Sequence, residues 1–512
     1  MNLIDNLFSN LSIKSVSLDN MSEELFAMYV WQILNKKNKN ILLVTSTLIE
    51  ANKLFQKISL YTNDVYLFPM DDFLTSEAIA ISPDLLITRL ETLKAIQNDK
   101  PLIVITHLMG YLHFLPNKKI YKDNILTLST DMEVSHKDLI EKLQLLGYKR
   151  ETIVTKTGEL GVRGFIIDLF PLGEDHPIRL EFFGDTIESI RTFDENTQRS
   201  LEHLDKITIY PCTEFLVDTP LDEDETPKPL DNYIKVDSIQ DYLTDSVTIY
   251  KDPNSIKIVY ENIVKDVKDY TEEKNIKTTR FFFPYEEKYQ EDAILYFSID
   301  SAIEAKKEII SFDTKNPPQF YEDTESIEKY LSESLMHSKT IIISLKDYQK
   351  KSLMNKLNLP SIDTNLTNIE LGKINYISLE MEEGFIYKDY IFLTANELFQ
   401  KKTINKKYKT NFKYGSKITD INKLEIGDYV VHQSCGIGIY NGLKTLKQGE
   451  QLKDYVEVLY QDNDKLYIPV EKIDLLLKYS SKEGVAPKIY KLGGNQWQKV
   501  RSRVKSKVHD MA

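Results

Sequence analysis

Gly164-Phe-Ile-Ile-Asp-Leu-Phe170, Ile178-Arg-Leu-Glu-Phe-Phe183 and Thr186-Ile-Glu-Ser-Ile-Arg-Thr-Phe193 are strand-length runs divided by Pro171-Leu-Gly173 and Gly184-Asp185. Short strands joined by tight turns form an antiparallel sheet. Along the middle run side chains alternate faces, so Arg179, Glu181 and Phe183 point one way while Leu180 and Phe182 face a core. Arg163 precedes Gly164 at the head of the neighbouring strand. Two arginines and an exposed phenylalanine suit a desolvated interface centre. A solvated sheet face with one stray aromatic would give the same pattern. The chain has nine arginines against 56 lysines, yet five of the nine fall between Arg150 and Arg199 and none between residues 281 and 500. Arginine offers a planar fork where lysine offers a hydrated point charge. The cluster therefore marks a candidate contact surface, with chance clustering on a solvated face as the alternative.

On either side of this stretch the rhythm differs. Asn40-Ile-Leu-Leu-Val44, Asp64-Val-Tyr-Leu-Phe68 and Leu102-Ile-Val-Ile105 read as strands. Leu48, Ala51, Leu54, Phe55 and Ile58 recur at helical spacing, as do Leu86, Ile87, Leu90, Leu93 and Ile96 behind a Ser82 cap and Pro83. Strand–helix–strand at this spacing predicts a largely parallel sheet. The expected organisation is an α/β layer over residues 1–115, an antiparallel domain over 116–210 and a second α/β passage over 211–310. An α/β unit over 311–400 follows, with strands at Thr340–Ser344, Ile374–Leu379 and Tyr390–Leu393 and a helix at Leu345–Leu357. Asp218–Asp231, with three prolines and an acidic run, reads as an exposed connector.

Residues 401–424 read as a flexible basic linker, since Lys401–Lys423 holds eight lysines against the single acid Asp420. Residues 425–480 carry short strands at Asp428–His432, Ile437–Tyr440, Tyr455–Tyr460 and Lys465–Val470, with Gln461–Asp464 as a hairpin loop. That pattern predicts a small SH3- or Tudor-like β-barrel. Its strand edges could accept a partner strand, or the barrel could merely space its neighbours. In residues 490–512, Trp497, Val500, Val504, Val508 and Met511 form a helical apolar stripe that stops without a cap, so the chain is expected to be cut mid-element.

The 512 residues are too many for one ordinary domain, and 42% hydrophobic with 28% charged residues is a globular composition. No apolar run approaches a membrane span, and the N-terminus shows no export signal. Two cysteines, Cys212 and Cys435, exclude a disulfide scaffold and fit a reducing cytosol, so a cytoplasmic location is expected. The net charge of −13 argues against bulk wrapping of nucleic acid.

No phosphate loop of the form Gly-x-x-x-x-Gly-Lys-[Ser/Thr] occurs, and Ser15–Glu24 has neither glycine nor the required lysine. His432 and Cys435 cannot fill a zinc shell alone, and His107 and His113 lack the pairing a metal requires. No nucleophile elbow is present. No catalytic, cofactor-binding or metal-binding residue is therefore expected.

Specific strings then carry a resemblance. Arg163-Gly-Phe-Ile-Ile-Asp-Leu-Phe-Pro171, Pro177-Ile-Arg-Leu-Glu-Phe-Phe-Gly-Asp185, Ile187-Glu-Ser-Ile-Arg-Thr-Phe-Asp194 and Thr197-Gln-Arg-Ser200 resemble the bacterial transcription-repair coupling factors. So do Gly427-Asp-Tyr-Val-Val-His432, Gly436-Ile-Gly-Ile-Tyr440, Lys465-Leu-Tyr-Ile-Pro-Val470 and Lys491-Leu-Gly-Gly494.

The resemblance implies an N-terminal half of that family: a degenerate copy of the UvrB helicase core around an antiparallel domain that recruits UvrA. It implies UvrA contacts at Arg163, Arg179 and Phe183. It further implies an RNA polymerase interaction domain that docks on the β subunit, with a contact at Leu446 in a loop. The unit at 311–400 resembles a family domain of unassigned role. The family's ATP- and magnesium-dependent DNA translocase, through which DNA is mainly bound, would follow the terminal helix and be missing here, so this chain is expected to be a non-catalytic adaptor. Two other readings are weighed. A CarD-like transcription regulator would lack the Arg163–Phe183 module, and a helicase or DNA-dependent ATPase would need the absent phosphate loop.

Overall fold

The computed structural model describes residues 3–8, 15–70, 83–98, 100–195, 197–216, 235–274, 280–298, 308–357, 359–366, 368–399, 426–432, 436–448, 451–461, 464–470 and 476–478. Ser82, the acidic connector, the Lys401–Lys423 stretch, Cys435 and the Trp497–Met511 stripe lie outside them.

A seven-stranded parallel sheet runs in the order Glu308–Ser311, Val16–Asp19, Ile294–Tyr296, Ser246–Lys251, Asn40–Thr45, Ile103–His107 and Val65–Phe68. Its central strands are buried on both faces, which is why Ile41–Val44 and Ile103–Ile105 are continuous apolar runs rather than alternating ones. Four strands precede the antiparallel module in sequence and three follow it. The module is therefore inserted within one sheet.

One strand departs from expectation. Val16–Asp19, which carries no strand pattern in sequence, is a fully buried strand between two late ones. Four residues that include Ser17 and Asp19 give too short and too polar a pattern to register as strand. The chain then turns at Asn20, whose φ is positive, and Ser22 caps the Glu23–Gln32 helix by accepting from Leu25 N.

The third unit is a five-stranded sheet in the order Ser361–Thr364, Ile374–Ile377, Thr340–Ser344, Tyr390–Leu393, Phe385–Tyr387; only the last strand is antiparallel. Ile342, Ile377, Phe385 and Phe392 share one apolar core with Leu25, Phe26 and Ile41 of the first sheet's layer. Lys57 bridges the same junction, with Glu23 and Glu24 at 3.8 and 3.6 Å and Glu382 and Glu383 at 4.0 and 3.7 Å. The expected helix here is shorter, Asp347–Lys356.

The antiparallel module is a six-stranded sheet ordered Ser200–Leu204, Thr186–Phe193, Ile178–Phe183, Ile166–Leu169, Glu159–Arg163, Lys149–Arg150, antiparallel except for the last pair, which is parallel. Its anchor to the parallel layer is a buried ion pair. Arg89, on the Pro83–Ile96 helix, donates to both carboxylate oxygens of Glu214 at 2.7 and 2.8 Å and to Pro69 O at 3.0 Å. His113 adds a contact to Glu214 at 3.2 Å. Burial alone would raise the Glu214 carboxyl, but Arg89 and His113 hold it down to about 2.

Residues 429–478 form a curled five-stranded antiparallel sheet ordered Lys465–Pro469, Gln451–Leu459, Gly436–Gln448, Tyr429–His432, Leu476–Lys478. The strands expected at Ile437–Tyr440 and Tyr455–Tyr460 are the base of a much longer hairpin, irregular between Tyr440 and Leu443. Tyr460 N closes the expected Gln461–Asp464 turn onto Asp464 O at 2.8 Å. On this hairpin Asp454 accepts from Ile49 N at 3.1 Å and from Thr445 Oγ1 at 3.0 Å. The first of these contacts ties the sheet to the N-terminus of the Leu48–Ile58 helix.

Candidate interaction sites on the inserted module and the curled sheet

The Ile178–Phe183 strand alternates as its sequence requires. Ile178, Leu180 and Phe182 are buried, Arg179 and Glu181 half-buried, and Phe183 is 80% exposed. Its partners place charges across the outer face: Arg179 lies opposite Asp168 and Arg191, and Arg191 opposite His203.

Arg179 is not a free cation. It clamps Asp168 through two bonds of 2.6 and 2.8 Å, reaches Gln198 at 3.4 Å, and lays its guanidinium 4.6 Å from the Phe193 ring centre. This is a bidentate, charge-assisted arrangement with an aromatic floor. Glu181 pairs with Arg191 and accepts from Ser189 Oγ at 2.7 Å. The outer face is thus an ordered charge network.

Arg163 and Phe183 stand at the ends of the hairpins. Rather than heading the next strand, Arg163 ends the Glu159–Arg163 strand, and Gly164-Phe165 is the turn into Ile166–Leu169. Gly164 and Gly184 each take the first central position of a two-residue turn, at φ of 59° and 63°. That conformation is open to glycine and strained for other residues. Arg163 is exposed and donates to Thr152 O at 2.9 Å.

The same turn puts Phe165 in solvent, 62% exposed, which the sequence reading missed. The missed signal was the glycine: a turn at Gly164-Phe165 frees the aromatic from the strand's alternation.

Leu446 lies on the long hairpin paired with Lys453 and is half-buried, so it belongs to a strand and not to a loop. Arg163, Arg179 and Phe183 share one module, while Leu446 is on the other sheet.

His107 and Cys212 are buried. His107 Nε2 lies 3.0 Å from Met70 N, and burial pushes its imidazole down to about 4. Burial pushes the Cys212 thiol up to about 12, leaving it protonated and inert. Among the described residues no group of His, Cys, Asp and Glu could hold a metal ion, and no helix is long and apolar enough to cross a membrane.

An inserted sheet with two exposed aromatic tips and a separate curled sheet define a multidomain protein with two distinct candidate interaction surfaces. Residues 126–215 match the family model described as the UvrB interaction domain, and residues 424–480 match the CarD-like/TRCF RID domain. Over nearly its whole length the chain is similar to the transcription-repair-coupling factors.

The factor of Staphylococcus epidermidis is 28% identical over 93% of this chain and 46% of its own length. That of Bacillus subtilis is 26% identical over 98% of this chain and 48% of its own. That of Staphylococcus haemolyticus is 26% identical over 99% and 48%. The chain spans about half the length of the curated relatives it matches.

Proposed function

We propose that this chain is the adaptor part, the N-terminal half, of a transcription-repair coupling factor that works in the cytoplasm. It would hold an RNA polymerase with the residues 424–480 sheet and recruit UvrA with the residues 126–215 module, as the first step of transcription-coupled excision repair. The observation that carries this reading is the presence of both matched interaction domains in one chain, in the same order as the family resemblance. A CarD-like regulator is not favoured, because residues 126–215 match the UvrB interaction domain.

In this reading the polymerase contact is the N-terminal lobe of the β subunit. The residue 424–480 sheet acts as the SH3/Tudor-like recognition unit, and Leu446 lies on the contacting hairpin. Arg163, Arg179 and Phe183 form the UvrA side. The parallel layer is read as a degenerate helicase core that binds no nucleotide. Its strand–turn–helix at Val16–Gln32 puts Glu23 and Glu24 in the first helical turn, where a triphosphate would meet carboxylates instead of the phosphate loop's lysine. Glu23 is tied to Lys251 at 2.9 Å and Glu24 lies 3.6 Å from Lys57.

ATP-driven translocation on DNA, with its magnesium ion, would belong to the remainder of the family's length, and these residues would need no cofactor. Binding of the chain to the isolated β lobe, abolished by Leu446→Arg, with no DNA-stimulated ATPase activity, is the expected result. Turnover of ATP by the chain, or wild-type and variant binding the lobe alike, would contradict the assignment.

A further inference from the structure

We infer that the parallel layer is a frame that holds the two candidate interaction surfaces in one fixed relation, and that Asp454 is the residue that docks the curled sheet on it. What the surfaces bind rests on the reading above; the docking itself does not.

The first turn of a helix leaves backbone N–H groups without intrahelical partners. In the Leu48–Ile58 helix, Thr47 Oγ1 accepts from Glu50 N at 3.3 Å, and Ile49 N donates to the Asp454 carboxylate, 405 residues away in sequence, at 3.1 Å. The Glu50 carboxylate turns aside, accepting from Ser46 Oγ at 2.8 Å and lying 3.7 Å from Lys251. The positive end of the helix is thereby left to Asp454.

Asp454 is only 9% exposed, whereas Thr445, its cross-strand partner and hydrogen-bond donor, is exposed. The hairpin itself therefore does not bury this carboxylate; the layer does. The Gln451–Leu459 strand also lies against the Pro253–Lys274 helix, so a second element of the layer receives it. A carboxylate is costly to bury without its hydrogen bonds, which makes the seat at Ile49 specific.

The inserted module is fixed to the same layer by the Arg89–Glu214 pair. Both surfaces thus hang from one sheet and its helices. Side chains alternate along the hairpin, so Leu446 stands on the opposite face from Thr445 and Asp454. Docking through Asp454 positions the Leu446 face and does not mask it.

The test is amide hydrogen exchange at Ile49 in the whole chain, with Asp454→Ala and Asp454→Asn. Spin-label distances between Glu202→Cys and Lys444→Cys, in a Cys435→Ser background, accompany it. Both label positions are exposed, and Cys212 is buried. Ile49 should exchange at least tenfold faster in Asp454→Ala, while Tyr455–Leu459 keep their protection and report a folded sheet. Asp454→Asn, which keeps an acceptor and drops the charge, should fall between, and it decides the matter if the alanine variant loses the sheet. The distance distribution should be narrow with Asp454 present and broad in Asp454→Ala. A broad distribution with Asp454 present, or Ile49 exchange and distances that neither variant changes, would overturn the docking. Neither readout involves UvrA or the polymerase, so failure of those assignments would show separately, as absent binding.

Discussion

Arg179 shows how a residue can be central to a site without being free to touch a partner. Its guanidinium donates twice to Asp168, a carboxylate buried between strands, and covers the Phe193 ring. Truncation would leave that carboxylate buried and unpaired. Arg179→Ala should therefore cost the module about 2–3 kcal/mol of stability before any effect on binding. Urea unfolding checks this, and a variant as stable as the wild type would show that solvent already satisfies Asp168. Arg179→Lys, which keeps charge but loses the fork, should recover only part of the loss. Alternation along Ile178–Phe183 revealed which way Arg179 points. It could not reveal the clamp, because Asp168 is eleven residues away and meets Arg179 only through strand pairing.

At the scale of elements, the two hairpin turns set where the exposed aromatics Phe165 and Phe183 stand. Gly184 has a φ of 63° and open space where a Cβ would stand, so substitution there carries conformational cost alone. Gly184→Ala should destabilise the module by about 1 kcal/mol. A melt of that variant checks the turn, and no change would mean that the turn relaxes to another type. Long or alternating elements were legible: the Thr186–Phe193 strand and the parallel apolar runs stand where their patterns put them. Elements built from pairing alone were not. Val16–Asp19 owes its place to two late strands, and the long hairpin through Leu446 owes its length to cross-strand register, both invisible to local periodicity. Phe165 escaped because the strand read from Gly164 starts only at Ile166, which leaves Phe165 in the turn.

At the scale of the molecule, buried charge joins the units. Glu24 sits under Lys57 at the junction with the Glu382-Glu383 loop, and burial raises its carboxyl to about 7. A carboxyl raised on folding holds a proton that the unfolded chain has already lost. Its contribution is thus present below about pH 4.5 and disappears as pH rises through about 7. Glu214, held down to about 2, acts in the opposite sense and only at more acidic pH. Between pH 5 and 8 the stability of the chain should therefore fall, by up to about 3 kcal/mol from Glu24, and Glu24→Gln should flatten that slope. Urea midpoints at the two pH values decide it, and a slope unchanged in the variant would assign it elsewhere.

The central claim is that one chain bridges two machines through separate surfaces. The most direct measurement is the mass in solution of the chain mixed with the polymerase β lobe and UvrA together. A single three-component assembly is predicted, from which Leu446→Arg removes only the lobe and Phe183→Ala only UvrA. Mutual exclusion of the two partners, or loss of both by either variant, would contradict it.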